Sequence, residues 1–458
     1  MSYNLRDCDR DQTYLLPPSL RDWLPEGDLA WFILDAVEPM NLQEFYIGLR
    51  PDGCGGASFP PSIMVPLLVY AYCVGVRSSR QIERLCERDV AFRVIAANHV
   101  PDHTTIARFR KEYDEALGKL FSQVLALCAE AGLMKLGVVA LDGTKMGANA
   151  SLAANRTEEG IEREVRKILE EAAAVDEAED RTYGADKRGD ELPAEMAKSS
   201  SRRKRLEEAG ERLKQEAAKA AAAQQDKIEA RQAEEEAAGK KKRGRKPKAP
   251  EAAVREEAKA NVTDPESRVM KTRSGYVQGY NAQAVVDEGQ LIIAAEVTTE
   301  QNDVHQLHPM IEKAKEELAA AGVAAEKIKT VLADAGFCSE KNLEAIPEGG
   351  AEYLINTAGE HDRRTVPAAS PRGRLPKDLT RRQRMDRRLH TKTGKALYKK
   401  RGVLVEPVFG MIKSVRGFER FVRRGLTACS NEWKLICATH NLLKLWRSGR
   451  RIKGMAAA

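Results

Sequence analysis

The sequence predicts a mixed α/β fold combined with an all-α amino-terminal domain and a charged helical insertion. Residues 1–135 carry apolar side chains at helical spacing, and residues 156–262 consist largely of Ala, Glu, Lys, Arg and Gln with few aromatics. Elsewhere, short apolar runs bounded by Gly or Pro alternate with helical patterns, which is typical of an α/β sheet. At 458 residues the chain is long enough for two or three domains. We expect these units at 1–135, at 136–155 joined with 263–446, and at 156–262, followed by a tail at 447–458.

The amino-terminal region contains a candidate helix-turn-helix. Apolar side chains recur at helical spacing over Ser79–Arg88, and a second helix is expected at Val90–Ala97. A third helix follows, which Asp102 or Thr104 would cap at its amino-terminal end. Its outward-facing basic residues are Arg108, Arg110 and Lys111. Such a helix is suited to enter a DNA major groove through its first turns, and a plain helical bundle with a charged face is the alternative.

The charged insertion separates the first predicted strand from the rest of the sheet. Its composition favours solvated helices or a coiled coil over an apolar core. It contains a basic tract at 240–248, in which Arg243-Gly-Arg-Lys-Pro247 is similar to the core of an AT-hook. Arg243 and Arg245 would then enter a narrow minor groove, although Lys246 before the proline departs from that core. A disordered basic linker that contacts DNA without sequence preference is the alternative.

Five strands are predicted in the α/β region. The first ends at Asp142, and the second and third, Tyr276–Val286 and Leu291–Val297, are joined by a hairpin turn. The remaining elements are helices at Asn302–Ala321 and Ser339–Ala345 and strands at Lys329–Asp334 and Ala351–Asn356. Because helices separate the later strands, the order predicts a mixed five-stranded sheet flanked by helices.

Three acidic residues lie where a buried charge would need a partner. Asp142 and Asp334 each end an apolar strand, and Glu406 lies within the apolar run Val403–Phe409. Buried carboxylates must be paired, hydrogen-bonded or bound to a cation, because an isolated buried charge is costly. Oxygen ligands without Cys or His at metal spacing favour Mg²⁺ or Mn²⁺ over Zn²⁺. The alternative is that both Asp residues only cap turns, since Asp-Gly and Asp-Ala-Gly are ordinary turn sequences.

The charge distribution indicates a polyanionic partner. The chain has a net charge of +7, yet between Arg363 and Arg424 it contains 20 Lys and Arg against four acids. A basic block of this size on an otherwise acidic chain is expected to attract nucleic acid, and a solvated basic tail is the alternative.

The cysteine pattern and the hydropathy predict a cytoplasmic protein without membrane association. The eight Cys residues show no paired spacing, which argues against a disulfide framework or a zinc knuckle and fits a reducing compartment. The amino terminus lacks the apolar segment of a signal peptide. The longest apolar run, Ile63–Val76, contains Pro66 and is too short to span a bilayer.

Several sequence blocks resemble those of a known family. The blocks are, in chain order, Phe59–Ser62, Pro101–Arg110, Asp142–Ser151, Gly275–Asp287, Leu332–Phe337 and Val405–Lys413. The last four resemble bacterial insertion-sequence transposases of the DDE type, and the first two look like the amino-terminal domain of the InsH-like group. The resemblance implies a ribonuclease H-like catalytic core. It also implies that Asp142, Asp334 and Glu406 are the catalytic acids and hold two Mg²⁺ or Mn²⁺ ions.

The resemblance assigns roles to the helix that carries the third acid. In such transposases this acid belongs to a Tyr-Arg-Glu-Lys signature, which here corresponds to Tyr398, Arg401, Glu406 and Lys413. Four residues, rather than the three of the signature, separate Arg401 from Glu406. We expect Tyr398, Arg401 and Lys413 to contact DNA. Pro407 is expected in the first turn of the helix, which would put Glu406 at its amino-terminal end.

The function that the resemblance implies is transposition, in which the protein cleaves its own insertion sequence and transfers the strands. Its partners would be double-stranded DNA, namely terminal inverted repeats and target DNA, and a second copy of the chain in a homodimer or larger assembly. The expected location is the bacterial cytoplasm, in association with the nucleoid. Two alternatives are a transposase-derived DNA-binding protein without catalysis and a ribonuclease H-like nuclease that cuts without joining.

Overall fold

The computed structural model describes residues 19–47, 58–168, 194–238, 258–272, 275–357 and 378–450, together with a few isolated positions between these ranges. Two sequence predictions fall outside the described residues. They are the AT-hook-like pair Arg243 and Arg245 and most of the tail that follows residue 446.

In the described part of the amino-terminal region, the chain is helical. The α-helices are α1 (Leu29–Val37), α2 (Pro61–Cys73), α3 (Ser79–Arg88), α4 (Val90–Ile95), α5 (His103–Glu112) and α6 (Asp114–Glu130). The three helices expected from the sequence are present as α3, α4 and α5. Asp102 caps α5 as predicted, because its carboxylate accepts hydrogen bonds from the backbone N–H groups of Thr104 and Thr105 at 2.9 and 3.0 Å.

A mixed sheet follows the helices. Its strands are β1 (Val138–Gly147), β4 (Arg268–Thr272), β5 (Gly275–Asp287), β6 (Ile292–Thr298), β7 (Thr330–Ala333) and β8 (Glu352–Ile355), whereas β2 (Asn155–Thr157) and β3 (Lys259–Asn261) form a separate antiparallel pair. The main sheet has the order β6-β5-β1-β7-β8. Strand β4 lies on the same side of β5 as β6, but β4 pairs with the first part of β5 (275–279), whereas β6 pairs with its later part (281–286). The five predicted strands are therefore confirmed, and β4 is an additional strand. This is the strand order of a ribonuclease H-like core.

Strand direction changes at β1. Strands β1, β7 and β8 run parallel, whereas β5 is antiparallel to β1. Strand β1 pairs with β7 only from Val138 to Leu141, but it pairs with β5 as far as Gly147. The prediction that this strand ends at Asp142 was wrong, because the antiparallel partner holds it extended for five more residues.

Helices cover both faces of the sheet. They are α8 (Leu307–Ala320), α9 (Glu340–Glu344), α10 (Arg381–Leu389), α11 (Lys392–Gly410) and α12 (Leu426–Arg447). One apolar core joins α2 and α6 to one sheet face and to α12, and it includes Leu68, Phe121, Tyr280 and Trp433, each at most 1% exposed. The opposite face packs against α8 in a second core. Among the described residues, no helix is long and apolar enough to cross a membrane.

The insertion contains a long helix, α7 (Ala194–Ala238), as its composition predicted. A small apolar cluster fixes the helix through Leu206, Ala209 and Leu213, which pack against Ile161 and Ala260. Ion pairs lie along it, for example between Arg203 and Glu207 at 2.7 Å. Each exposed pair of this type adds only about 0.3–0.5 kcal/mol, so the apolar cluster is the main attachment.

The helix that carries Glu406 differs from the prediction. Helix α11 begins at Lys392, where Thr391 caps it, so Pro407 lies inside the helix and not in its first turn. Pro407 cannot donate to the carbonyl of Val403, and this carbonyl instead accepts a hydrogen bond from Gln290 Nε2 at 2.9 Å. A π-helical turn, Met411–Val415, follows directly. Val415 is 71% exposed after this change of helical phase.

Candidate active site

Two of the predicted acids lie side by side. Leu141 on β1 is paired with Ala333 on β7 in a parallel register. The next residues, Asp142 and Asp334, therefore lie side by side, directly after the last paired positions of the two strands. Burial and the neighbouring Asp334 charge raise the pKa of Asp142 to about 6. Burial also raises the pKa of Asp334. Two carboxylates that are both poorly solvated and close together create a local demand for positive charge.

Arg401 supplies part of that charge from α11. Its Nη1 donates to Asp142 Oδ2 at 2.7 Å, and both side chains are about four-fifths buried. Tyr398 precedes Arg401 by almost one turn of the same helix. Burial raises the pKa of the Tyr398 hydroxyl, and the adjacent Arg401 charge opposes this rise. Tyr398 and Arg401, two of the four residues of the predicted signature, therefore lie beside the aspartate pair.

Lys413 lies further along β1. Its Nζ donates to Thr144 Oγ1 at 3.0 Å and to the backbone carbonyl of Lys145 at 2.8 Å. Burial lowers its pKa, an effect that the Glu419 carboxylate opposes. Lys413 thus faces the part of β1 that extends beyond Asp142.

Glu406 is not brought together with the two aspartates. Its side chain is exposed and lies along its own helix, since a Cβ placed on Gly402 would be 3.3 Å from Glu406 Oε1. Glu406 follows Arg401 by five residues, which changes the direction of a helical side chain by about 140°. With Arg401 directed at Asp142, Glu406 points away. Within the described ranges, no three His, Cys, Asp or Glu side chains are arranged to hold a metal ion.

Asp303 and Lys145 belong to the same region, although the sequence alone predicts no role for either. Asp303 Oδ1 accepts hydrogen bonds from Asn281 Nδ2 and Gln283 Nε2, both at 2.6 Å, and lies 3.5 Å from Lys145 Nζ. Burial lowers the pKa of Lys145, which the charges of Asp303, Asp334 and Asp142 oppose. The site therefore contains a second acid–base pair beside Asp142 and Arg401.

The sequence contained a signal for part of this group. Asn281 and Gln283 alternate with Tyr280, Ala282 and Ala284 in a strand that is otherwise apolar, and this period of two predicts that the amides share one face of the sheet. Asp303 had no comparable signal. It was expected inside a helix starting at Asn302, but α8 begins only at Leu307, which leaves Asp303 in the connecting loop.

The residues present are suited to a divalent cation. Asp142 and Asp334 provide hard oxygen donors. Their pKa values are raised because negative charge is buried there without full compensation, and a bound cation would remove this cause. Asp142 also uses Arg401 as a counter-ion. Asp142 and Asp334 would hold the cation, and a third carboxylate has to come from another element.

The predicted DNA contacts of the amino-terminal region divide into two groups. Arg108 and Lys111 are exposed on α5. Arg110 instead donates to the backbone carbonyl of Arg77 at 2.7 Å, and its own carbonyl accepts from Arg423 Nη1 at 2.6 Å. The geometry therefore does not support a DNA contact for Arg110, because its hydrogen bonds attach α5 to the segments before α3 and before α12.

A mixed sheet with this strand order, carrying two adjacent aspartates and a paired arginine, is typical of ribonuclease H-like enzymes that cleave nucleic acids. Residues 231–442 match the family described as Transposase DDE domain, and residues 18–112 match Transposase domain (DUF772). The chain belongs to the DDE transposases of insertion sequences. No curated protein matches the chain, and no solved structure does. The InsH-like subgroup stays a prediction.

Proposed function

We propose that this protein cleaves the ends of its own insertion sequence and joins them to target DNA, with Asp142, Asp334 and Glu406 as catalytic acids. The observation that carries the proposal is the position of Asp142 beside Asp334 at the edge of the two central parallel strands, with Arg401 paired to Asp142. Burial and the Asp334 charge raise the pKa of Asp142, and adjacent buried carboxylates of this kind are common at sites that bind metal ions and process phosphodiesters.

Two Mg²⁺ or Mn²⁺ ions are the proposed cofactors, held by Asp142, Asp334 and Glu406. When bound, they supply Lewis-acid activation of water or a DNA 3′-hydroxyl and stabilise charge on the leaving oxygen. The protein's own basic groups bind and orient the DNA. Arg401 offers a two-pronged contact to a phosphate, whereas Lys413 acts as a point charge beside β1 and Tyr398 donates from its hydroxyl.

Helix α11 has to rearrange for Glu406 to join the two aspartates. Pro407 removes one hydrogen bond of the helix, and the π-helical turn Met411–Val415 interrupts the regular ladder just beyond it. Both irregularities lie within two turns of Glu406 and make rotation of this segment less costly. We infer that DNA and metal binding release Arg401 from Asp142 and turn Glu406 toward the site.

The proposed DNA partners are terminal inverted repeats and target DNA. On the amino-terminal side, the exposed Arg108 and Lys111 of α5 support a major-groove contact. On the catalytic side, α10 and α11 belong to the basic block of the sequence. Joining two ends to a target calls for two active sites, so we propose a homodimer or larger assembly that acts on DNA in the cytoplasm, at the nucleoid.

The test is a cleavage assay on a supercoiled plasmid that carries the inverted repeats flanking the coding region, with Mg²⁺ or with EDTA. We expect Asp142→Asn, Asp334→Asn and Glu406→Gln each to lower the cleavage rate by about 10³-fold or more while DNA binding persists. Glu326→Gln, an exposed acid ahead of β7, is the matched control and should cleave normally. Cleavage at the normal rate by Asp142→Asn would disprove the assignment.

A second candidate function is favoured by the exposed position of Glu406. If α11 does not rearrange, the protein is a DNA-binding protein that descends from a transposase and has lost catalysis. Specific binding to the repeats without cleavage in Mg²⁺ or Mn²⁺ would identify this case. Cleavage without joined products would instead identify a nuclease that cuts but does not transfer strands.

A further inference from the structure

The ammonium group of Lys145 is buried beside the aspartate pair with unused hydrogen-bonding capacity. Lys145 follows Asp142 by three residues on β1, and its Nζ lies 3.5 Å from Asp303 Oδ1. Among the described residues, this Nζ has no hydrogen-bond partner. An ammonium has three donors, and burying it without acceptors is costly unless another group completes the site.

Asp303 is itself held rigidly. Asn281 and Gln283 are at most 1% exposed, and both donate to the same oxygen of Asp303. The β1–β5 register pairs Lys145 with Asn281 and Gly143 with Gln283, so these positions share one patch of the sheet. Gly143 makes the approach possible, because a Cβ at this position would lie 2.7 Å from Asp303 Oδ1. The patch is therefore built to bring a carboxylate against the backbone of β1.

The hydrogen bonds of this patch are incomplete. Within the described ranges, Asn281 Oδ1 and Gln283 Oε1 also lack donors, although both side chains are buried. Buried amides and ammonium groups nearly always have partners in folded proteins. Three unpartnered polar atoms around one carboxylate, next to Asp334, indicate that this patch can bind a polar ligand.

We propose that Lys145 binds a non-bridging oxygen of the DNA phosphodiester that is cleaved, and that Asp303, Asn281 and Gln283 position Lys145 for this contact. The inference rests on the proposed function and adds a phosphate-binding residue to it. Lys413 is a poorer candidate for the same contact, because Thr144 Oγ1 and the Lys145 carbonyl already accept from its Nζ. Arg401, to which the proposed function gives a phosphate contact of its own, is paired with Asp142 in this structure. Of these three basic groups, Lys145 is the one whose charged nitrogen has no hydrogen-bond acceptor among the described residues.

The first test compares Lys145→Met with Lys145→Arg in the plasmid assay. Removing one charged donor to a transition-state oxygen lowers a rate by about 10²–10³-fold, so we expect Lys145→Met to lose that much cleavage while binding of uncleaved repeat DNA changes less than about three-fold. Lys145→Arg should recover part of the rate. Lys329→Met, an exposed lysine at the opposite end of β7, is the matched control with normal cleavage.

Thermal unfolding separates this role from a structural one. Met fills a similar volume, but it leaves the Asp303 carboxylate without its counter-ion, so we expect a modest fall in the melting temperature of Lys145→Met with binding of uncleaved repeat DNA retained. A lower melting temperature together with a proportional loss of DNA binding would show that Lys145 only supports the fold, and the proposal would be wrong.

The second test asks whether Asp303 acts through Lys145. Asp303→Asn keeps an oxygen that accepts from Asn281 and Gln283 but removes the charge that attracts the ammonium. We expect about a ten-fold slower cleavage from Asp303→Asn alone and no additional loss when it is combined with Lys145→Met. If the two substitutions instead lowered the cleavage rate independently, so that their fold-changes multiplied in the double variant, the positioning role would be contradicted.

The controls distinguish failure of this inference from failure of the proposed function. If the wild-type protein cleaves, Asp142→Asn does not, and Lys145→Met cleaves within two-fold of the wild type, only the role of Lys145 is disproved. If the wild-type protein binds the repeats but never cleaves them, the proposed function and this inference are disproved together.

Discussion

Asp142 illustrates how a residue proposed to act in catalysis weakens the fold that holds it. Its pKa is raised to about 6 by burial and by Asp334, so in the absence of metal the ionised form is less stable in the folded protein than in the unfolded chain. Arg401 offsets this cost only in part. Sites that must bind cations are commonly strained in this way before the cation arrives.

A stability measurement on Asp142→Asn tests this cost. A carboxyl whose pKa is higher in the folded protein than in the unfolded chain stabilises the fold while it is protonated. This stabilisation is fully present below the unfolded-state pKa near 4 and is lost as the pH rises through the folded-state pKa of about 6. In EDTA at pH 7.5, we therefore expect Asp142→Asn to be more stable than the wild type by about 1–2 kcal/mol. The difference should shrink as the pH falls to 5, as measured by urea unfolding at both pH values. A variant less stable than the wild type at pH 7.5 would contradict the prediction.

The same residues show what the sequence could and could not predict about the site. Asp142 and Asp334 were predictable because each follows an apolar run, and these two runs pair in parallel as β1 and β7. The direction of Glu406 was not predictable, because it depends on where α11 begins and on the π-helical turn after it. Asp303 was missed because its partners, Asn281 and Gln283, are distant in sequence and meet it only through the sheet.

At the scale of elements, the end of α2 is attached to the segment after α11. Arg416 is 7% exposed, and its Nη2 donates to the backbone carbonyl of Tyr72 at 2.9 Å, which also accepts from the Gly75 N–H at 3.2 Å at the end of the helix. Gly75 makes this approach possible with a φ of +81°, since a Cβ there would lie 2.7 Å from the carbonyl oxygen of Arg416. The α/β order of these elements was predictable, but this contact was not, because nothing local in either segment encodes it.

A pair of glycine substitutions tests the contact. Gly322 also has a positive φ, +71°, but among the described residues no neighbouring atom lies within 4 Å of a Cβ placed on it, so Gly322→Ala measures backbone strain alone, about 1 kcal/mol. Gly75→Ala adds a clash with a backbone carbonyl, and we expect a further loss of about 1–3 kcal/mol in unfolding free energy. Chemical denaturation of both variants measures the difference. Equal losses of unfolding free energy in the two variants would mean that the end of α2 and the segment after α11 can move apart at no cost in free energy.

At the scale of the whole molecule, the amino-terminal helices and the sheet share one apolar core, and the insertion is attached through a separate apolar cluster. Leu120 on α6 lies in the core that also contains Trp433 of α12 and Tyr280 of β5, whereas Leu206 on α7 lies in the small cluster with Ile161. Burial in a shared core makes opening cooperative, because exposing one layer removes the partner of the next. The composition of the insertion predicted its helix but not this attachment.

Matched Leu→Ala substitutions test whether the two units open separately. Both leucines are at most 1% exposed, so each substitution should cost about 2–5 kcal/mol locally. We expect Leu120→Ala to speed amide hydrogen exchange in α6, α12 and the sheet together. Leu206→Ala should speed exchange only in α7 and residues 158–168, with cleavage by the catalytic core unchanged. Mass spectrometry of peptides from these segments measures the effect, and faster exchange in the sheet of Leu206→Ala would show that the insertion and the catalytic core unfold as one unit.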